Sequence, residues 1–170
     1  MKIKSTIFSI LVFSFLPSKL VAETSIILKQ EDSPVQIVEY KVDTYASSLD
    51  EGIETKLVLK NLSGSKIAVV RFGEVTFNSF GEYFDSSVGL ISNSWKGILS
   101  GEIIKENFSN ISPGIEFVTN YGTGFVFIDA VRFEDGKIWR ANRDDIVVQI
   151  KEMFESFSGD MITETKKNKS

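Results

Sequence analysis

Carboxyl groups are the side chains of this chain that are best able to do chemistry. The chain has 23 Asp and Glu residues among its 170, and it has no His and no Cys. His is the commonest general base near neutral pH, so catalysis by Ser-His-Asp or Cys-His arrangements is excluded. The sequence also offers neither imidazole nor thiolate, which are the usual ligands of zinc, copper and iron. We therefore expect no metal site and no other cofactor.

Paired acids remain as a route to catalysis, because glycosidase-type hydrolysis needs only two carboxyl groups that face one bond. The candidates for such a pair are Asp43, Asp50, Glu51, Asp85, Asp129, Glu134 and Asp135. Nearly any acidic chain offers pairs of this kind, so we predict that the protein is not an enzyme. A carboxylate-dependent hydrolase of envelope or extracellular glycans is the alternative.

Calcium is the one metal that this inventory permits, because it accepts oxygen ligands alone. Asp50-Glu51-Gly52 and Glu134-Asp135-Gly136 place acids beside glycine, but neither has the alternating ligand spacing of a calcium loop. We interpret both segments as plain turns.

The first 22 residues have the layout of a secretory signal peptide. Lys2 and Lys4 precede an apolar run from Ile7 to Leu16, and Ala22 supplies a small residue for cleavage before Glu23. An uncleaved membrane anchor is the alternative, but a spanning helix needs roughly 20 apolar residues and this run is shorter. We predict a secreted or periplasmic protein with no stable membrane insertion after cleavage.

Cleavage would make the chain more acidic. Removing Lys2, Lys4 and Lys19 leaves 16 of the 19 basic residues against 23 acidic ones, which is a net charge of −7. Such a chain repels the phosphate backbone of nucleic acids, which we exclude as partners. We expect a protein or an envelope component instead, and the sequence leaves the oligomeric state open. The amino-acid usage indicates a bacterial source.

Short runs of apolar residues, separated by turn signals, predict antiparallel strands. In Thr55–Lys60 the leucines alternate with lysines, as a half-buried strand requires. The predicted strands are Ser25–Lys29, Val35–Tyr45, Glu54–Asn61, Lys66–Phe77, Phe117–Tyr121, Gly124–Glu134 and Lys137–Ala141. Asp135-Gly136 predicts a tight two-residue hairpin turn between the last two strands, with Trp139 in the core rather than in a ligand groove.

The apolar period changes to that of a helix after Asn142, which can cap its first turn. We predict a helix over residues 144–157 with a stop at Gly159. This helix would either cover the sheets of its own chain or dock on a partner. The predicted organisation is a signal peptide at 1–22, a β-sandwich domain with its terminal helix at 23–158 and a disordered polar tail at 159–170.

Residues 81–113 fit no regular pattern, and long irregular segments are often functional. Tyr83, Phe84 and Trp95 are the candidate binding residues, because aromatic side chains carry much of the energy of interfaces. The alternative is that these rings seal one end of the sandwich.

Several short strands followed by one helix predict a mainly β fold, namely an immunoglobulin-like antiparallel β-sandwich with a C-terminal α-helix. The stretch Leu57–Val70, a strand that ends in Asn-x-Ser-Gly before a second strand, resembles the opening hairpin of small exported bacterial immunoglobulin-like domains. Phe125–Asp129 is similar to the Phe-x-Leu-Tyr-Asp signature of one such family (FxLYD-like domains), with Phe for Leu and Ile for Tyr. The resemblance implies a non-enzymatic accessory domain.

Together these patterns predict an exported, non-catalytic binding or accessory domain that contacts a protein or an envelope component. A structural subunit, whose exposed strand edge pairs with a copy of itself or with another chain, is a further possibility.

Overall fold

Eight β-strands form most of the fold in the residues that this computed structural model describes, which are 24–46, 51–91, 96–111 and 115–162. The strands are β1 (Thr24–Ile27), β2 (Val35–Ala46), β3 (Glu51–Asn61), β4 (Ile67–Asn78), β5 (Tyr83–Ile91), β6 (Ile103–Ile111), β7 (Tyr121–Phe133) and β8 (Ile138–Arg140). The helices are α1 (Ile115–Asn120), α2 (Arg143–Lys151) and a short 3-10 helix at Gly159–Met161. The predicted signal peptide lies outside the described residues. Within those ranges no helix has the length and apolar character needed to cross a membrane.

The strands form two sheets, and the predicted mainly β class is confirmed. The first sheet has the order β1-β7-β4-β5, with β8 also paired to β7, and the second has the order β2-β3-β6. All pairs are antiparallel except β1 with β7, which run parallel. Apolar side chains from both sheets, such as Leu57 and Leu59 of β3 and Val70 and Phe72 of β4, share one core between them. This arrangement is consistent with a β-sandwich.

The first sheet buries both of its faces, because side chains alternate across a strand. On β4, Val70 and Phe72 face the second sheet, whereas Val75 and Phe77 belong to a second core. That second core contains Ile146 and Ile150 of α2 together with Phe157. The helix therefore packs on its own chain.

Helix α2 begins as the sequence predicts but ends earlier. The side chain of Asn142 accepts a hydrogen bond from the backbone N–H of Asp144, which caps the first turn. The helix ends at Lys151, and turns carry the chain on to Phe157. Ile162 is buried and the Met161 carbonyl accepts hydrogen bonds from β5, so the folded part extends into the segment that we predicted as a disordered tail.

The hairpin between β7 and β8 is confirmed with one difference. Val131 lies opposite Trp139, and Trp139 packs against the core between the sheets, as predicted. Phe133 and Lys137 close the turn, so three residues separate the arms, and only the last, Gly136, has a positive φ of 87°. A three-residue loop with glycine in the left-handed region replaces the two-residue turn that we predicted.

Two predictions about elements were wrong. The segment Phe117–Tyr121, predicted as a strand, lies almost entirely in α1. A short apolar run fits either element, and here Phe117 and Tyr121 lie one helical turn apart with ring centroids separated by 6.3 Å. Residues 81–113, predicted as irregular, contain β5 and β6, which are edge strands with polar side chains at many positions.

Candidate functional site

An open cleft lies between the two sheets, on the side where β5 and β6 form their edges. Its volume is about 240 Å³. The lining residues come from the five strands β3 to β7 and from α1, namely Ile53, Thr55, Phe72, Glu74, Thr76, Asp85, Ser86, Ser87, Val88, Gly89, Phe108, Ser109, Phe117 and Tyr121. This set contains two acids and no basic residue, so the cleft is apolar with a negative character.

Small side chains on β5 leave this space unfilled. Asp85, Ser87 and Gly89 lie at alternate positions of the strand, so they share one face of the sheet. In the register of β4 with β5 their partners are Thr76, Glu74 and Phe72, respectively. Leu or Ile at positions 85 and 87 would close the core here, as they do elsewhere between the sheets. The cleft is thus a consequence of the β5 sequence.

Aromatic rings form the walls of the cleft. The Phe72 and Phe108 rings, from opposite sheets, have centroids 5.2 Å apart. Phe117 contacts Phe84 at 4.5 Å between centroids. Gly89 makes room for the Phe72 ring, because a Cβ atom at Gly89 would overlap the ring. The walls therefore suit an apolar or aliphatic group.

Glu74 supplies the acid at the floor of the cleft. The Tyr40 hydroxyl donates a hydrogen bond to Glu74 Oε1, and the Tyr121 hydroxyl interacts with that of Tyr40. Burial raises the pKa of Glu74 above its usual value, and the negative charge of Asp85 raises it further, while hydrogen bonds from Tyr40 and Ser87 oppose this effect. Burial and the neighbouring Glu74 also raise the pKa of Tyr40 well above its usual value. Glu74 is therefore easier to protonate than an exposed glutamate.

Gly124 makes room for the two tyrosine hydroxyls. A Cβ atom at this position of β7 would overlap the hydroxyl oxygens of both Tyr40 and Tyr121. The Gly122-Thr123-Gly124 sequence therefore has a specific steric role at the start of β7. Its second glycine leaves room for the Tyr40 hydroxyl, which bonds Glu74, and for the Tyr121 hydroxyl beside it.

The three aromatic residues predicted for binding lie in different places. Tyr83 packs in the second core, where its ring lies 6.2 Å from that of Phe77 and its hydroxyl donates a hydrogen bond to the Met161 carbonyl. Phe84 supports the cleft wall through Phe117. Trp95 lies outside the described residues. Of the three, Phe84 is the one that the structure brings next to the cleft.

The acids that we considered as a catalytic pair are dispersed in the described structure. Asp43, Glu134 and Asp135 form exposed ion pairs with Lys41, Lys66 and Lys137. Glu51 begins β3, and Asp50 lies outside the described residues. Asp85 is the one member of that set that lines the cleft.

Glu74, which lines the cleft together with Asp85, was not among the acids that we considered from the sequence. The missed signal was the alternation Val70, Phe72, Glu74, Thr76, which puts a carboxyl group on the inward face of a buried strand.

Asp129 forms a second cluster of charge, away from the cleft. It lies at a bulge of β7, where the pairing with β4 skips one residue, and its side chain is only 4% exposed. Its carboxylate forms an ion pair with Arg71, and Oδ1 lies 3.3 Å from Nη2 of Arg143. Two arginines thus compensate this buried charge. In the described part of the chain, no group of three or more acidic side chains is arranged to hold a metal ion.

Comparison with protein-family models finds no match, and neither does comparison with curated proteins. Among solved structures, the chain is similar to a hypothetical protein from Peptoclostridium difficile 630, with 11% identity and a TM-score of 0.50 over 74% of this chain and 93% of that one. It also matches a Northeast Structural Genomics Consortium target, with 13% identity and a TM-score of 0.38 over 64% of this chain and 80% of that one. The first likeness shows a shared fold alone, and we draw nothing from the second.

Proposed function

We propose that this protein is an exported, non-catalytic binding domain that takes a protein or an envelope component in the cleft between β5 and β6. The observation that carries the proposal is the unfilled space itself. It combines aromatic walls from both sheets with an acid at its floor, and polar groups that converge in a largely apolar cleft are typical of binding sites. Secretion or a periplasmic location remains part of the proposal, on the strength of residues 1–22.

The proposal includes an immunoglobulin-like class for the sandwich, with α2 as its appended helix, and membership of the small exported bacterial domains that the sequence resembles. Two mainly antiparallel sheets around a shared core support this class. The Phe125–Asp129 segment, which carries the resemblance, lies in the central strand β7.

A crosslinking pull-down tests the proposal. The mature protein is incubated with the envelope fraction and culture fluid of its native cells, beside a Ser87→Leu variant. Ser87 lines the cleft and is exposed, so leucine there fills the cleft without removing a core contact. Ser156→Leu, at an exposed position after α2, is the matched control. We expect a defined partner that is lost with Ser87→Leu and retained with Ser156→Leu. A partner captured equally by both variants would contradict a binding site in the cleft.

A carboxylate-dependent hydrolase of glycans is the second candidate. The observation that favours it is that Glu74 and Asp85 line the same cleft and that Asp85 raises the pKa of Glu74. A carboxyl group with a raised pKa beside a second carboxyl group is typical of acid–base catalysis. If this candidate is correct, envelope glycans should release reducing ends with the wild-type protein and not with Glu74→Gln or Asp85→Asn. No release with the wild type would remove it.

A further inference from the structure

The edge of β5 is open in the described structure. β5 pairs with β4 along its length, and no described strand pairs with its other edge. β6 is likewise paired with β3 alone among the described elements. The free edge of a strand presents N–H and C=O groups that an extended peptide can pair with.

The cleft runs along this open edge. Five consecutive residues of β5, from Asp85 to Gly89, line it. A strand added to β5 would extend the first sheet, and its inward side chains would lie beside Asp85, Ser87 and Gly89. Asp85 and Ser87 leave space that one long side chain would fill, whereas the Phe72 ring already fills the space beside Gly89.

The charge of the cleft indicates which side chain fits. Asp129, the buried acid on β7, has two arginines as partners. Glu74 has hydroxyl groups and a second acid near it, and none of the described residues that line the cleft is basic. A cation from another molecule would give Glu74 the compensating positive charge that Arg71 and Arg143 give Asp129. The rings of Phe72 and Phe108 would cover its aliphatic stem.

We propose that the occupant of the cleft is an extended segment of a partner protein, which adds a strand to β5 and places one Lys or Arg side chain against Glu74 and Asp85. This inference rests on the proposed function and specifies its ligand. A cation at this place would favour the ionised form of Glu74, so its pKa should fall when the segment binds.

Selection from displayed random linear peptides tests the inference. The probes are the peptides that the mature protein enriches, measured against the wild type and the double variant Glu74→Gln/Asp85→Asn. The matched control is Glu54→Gln/Asp32→Asn, because both residues are exposed acids that do not line the cleft. Circular dichroism confirms that each variant is folded.

We expect enriched peptides with one Lys or Arg between residues that alternate as in a strand. Their affinity should fall on the order of tenfold or more in the double variant and stay unchanged in the control, since bonds to charged groups are the strong ones. Binding should also slow amide exchange in Tyr83–Ile91, which follows from strand addition and not from charge alone.

Three results would overturn the inference. The first is enrichment of peptides without a basic residue, or equal binding to the double variant. The second is competition by free n-butylamine as strong as that by the peptide, which would indicate a small amine site. The third is the absence of any enriched peptide. If the pull-down still finds a partner that Ser87→Leu loses, the proposed function stands and the peptide inference alone fails; without such a partner, both fail.

Discussion

At the scale of single residues, Glu74 and Asp129 show two ways of placing a carboxyl group inside the same sheet. Asp129 forms ion pairs with Arg71 and Arg143. Glu74 is held by a tyrosine hydroxyl and faces an open cleft whose described lining residues include no cation. The chain itself supplies the positive charges that compensate Asp129. For Glu74, we propose that a ligand supplies the positive charge.

The raised pKa of Glu74 predicts a pH dependence of stability. Its unfolded value is near 4.5 and its folded value is higher. The stabilising contribution is therefore fully present below about pH 4.5 and is lost as the pH rises through the folded pKa. We expect the free energy of unfolding of the wild type to fall relative to that of Glu74→Gln as the pH rises above about 4.5.

Urea denaturation across this range measures that difference. Glu54→Gln controls for the loss of one exposed acid. A constant difference between the wild type and Glu74→Gln at all pH values would contradict the assignment of Glu74 as a buried, easily protonated acid.

The Asp129 cluster predicts a loss of stability when its charge is removed. Asp129→Asn keeps the shape of the side chain and leaves Arg71 and Arg143 without their counter-charge. Both arginines are about one third exposed, so we expect a cost of about 2 kcal/mol rather than the larger values for fully buried pairs. Chemical denaturation checks this, with Asp135→Asn on the exposed hairpin as the control. Equal stability of both variants would show that the cluster contributes little.

At the scale of elements, β4 is the strand on which both halves of the structure depend. One of its faces contributes Phe72 and Glu74 to the space between the sheets, and the other contributes Phe77 to the second core. The Phe77 ring stacks on Phe154 at 3.9 Å and lies 5.8 Å from Phe157. The chain after α2 therefore helps to hold the strand that forms the floor of the cleft.

This packing predicts that truncation of Phe157 weakens the whole domain. Phe157 is 1% exposed, so Phe157→Ala should leave a cavity and cost about 3 kcal/mol of the free energy of unfolding. Thermal and urea denaturation measure the loss. Met153→Ala, at a side chain that is 56% exposed, should have a much smaller effect. A similar small effect of Phe157→Ala would mean that the C-terminal segment does not pack on the sheet in solution.

Gly124 predicts a selective defect in the cleft. In Gly124→Ala the new methyl group would displace the hydroxyls of Tyr40 and Tyr121, so Glu74 would lose the hydrogen bond from Tyr40. We expect weaker capture of the partner together with an altered fluorescence of the tyrosines. Gly64→Ala, where a Cβ atom meets open space, is the control. Unchanged capture by Gly124→Ala would show that the position of Tyr40 does not matter for binding.

The sequence predicted features that depend on neighbouring residues in one segment, and it did not predict the cleft, which depends on several strands. The alternation around Leu57 and Leu59 predicted a half-buried strand, and Asp135-Gly136 predicted a hairpin, because both are local signals. The cleft was not predicted, because it depends on how Ser87 and Gly89 lie opposite Glu74 and Phe72, which is a matter of register between strands. Periodicity within one strand does not show which strand lies beside it.

At the scale of the whole molecule, the two sheets are closed on one side and open on the other. β1 and β7 contact β2 and close the first side. On the opposite side β5 and β6 flank the cleft, and no described strand pairs with the outer edge of either. We propose that the partner binds there. It would fill the space between the sheets and pair with the free edge of β5.

Photo-crosslinking from inside the cleft tests whether the partner binds between β5 and β6. A photoreactive amino acid replaces Ser87 in one protein and Val148, an exposed residue on α2, in another, and each is expressed in its native cells. We predict a defined crosslinked partner from position 87 and none from position 148. The same partner from both positions, or no partner from position 87, would contradict the account.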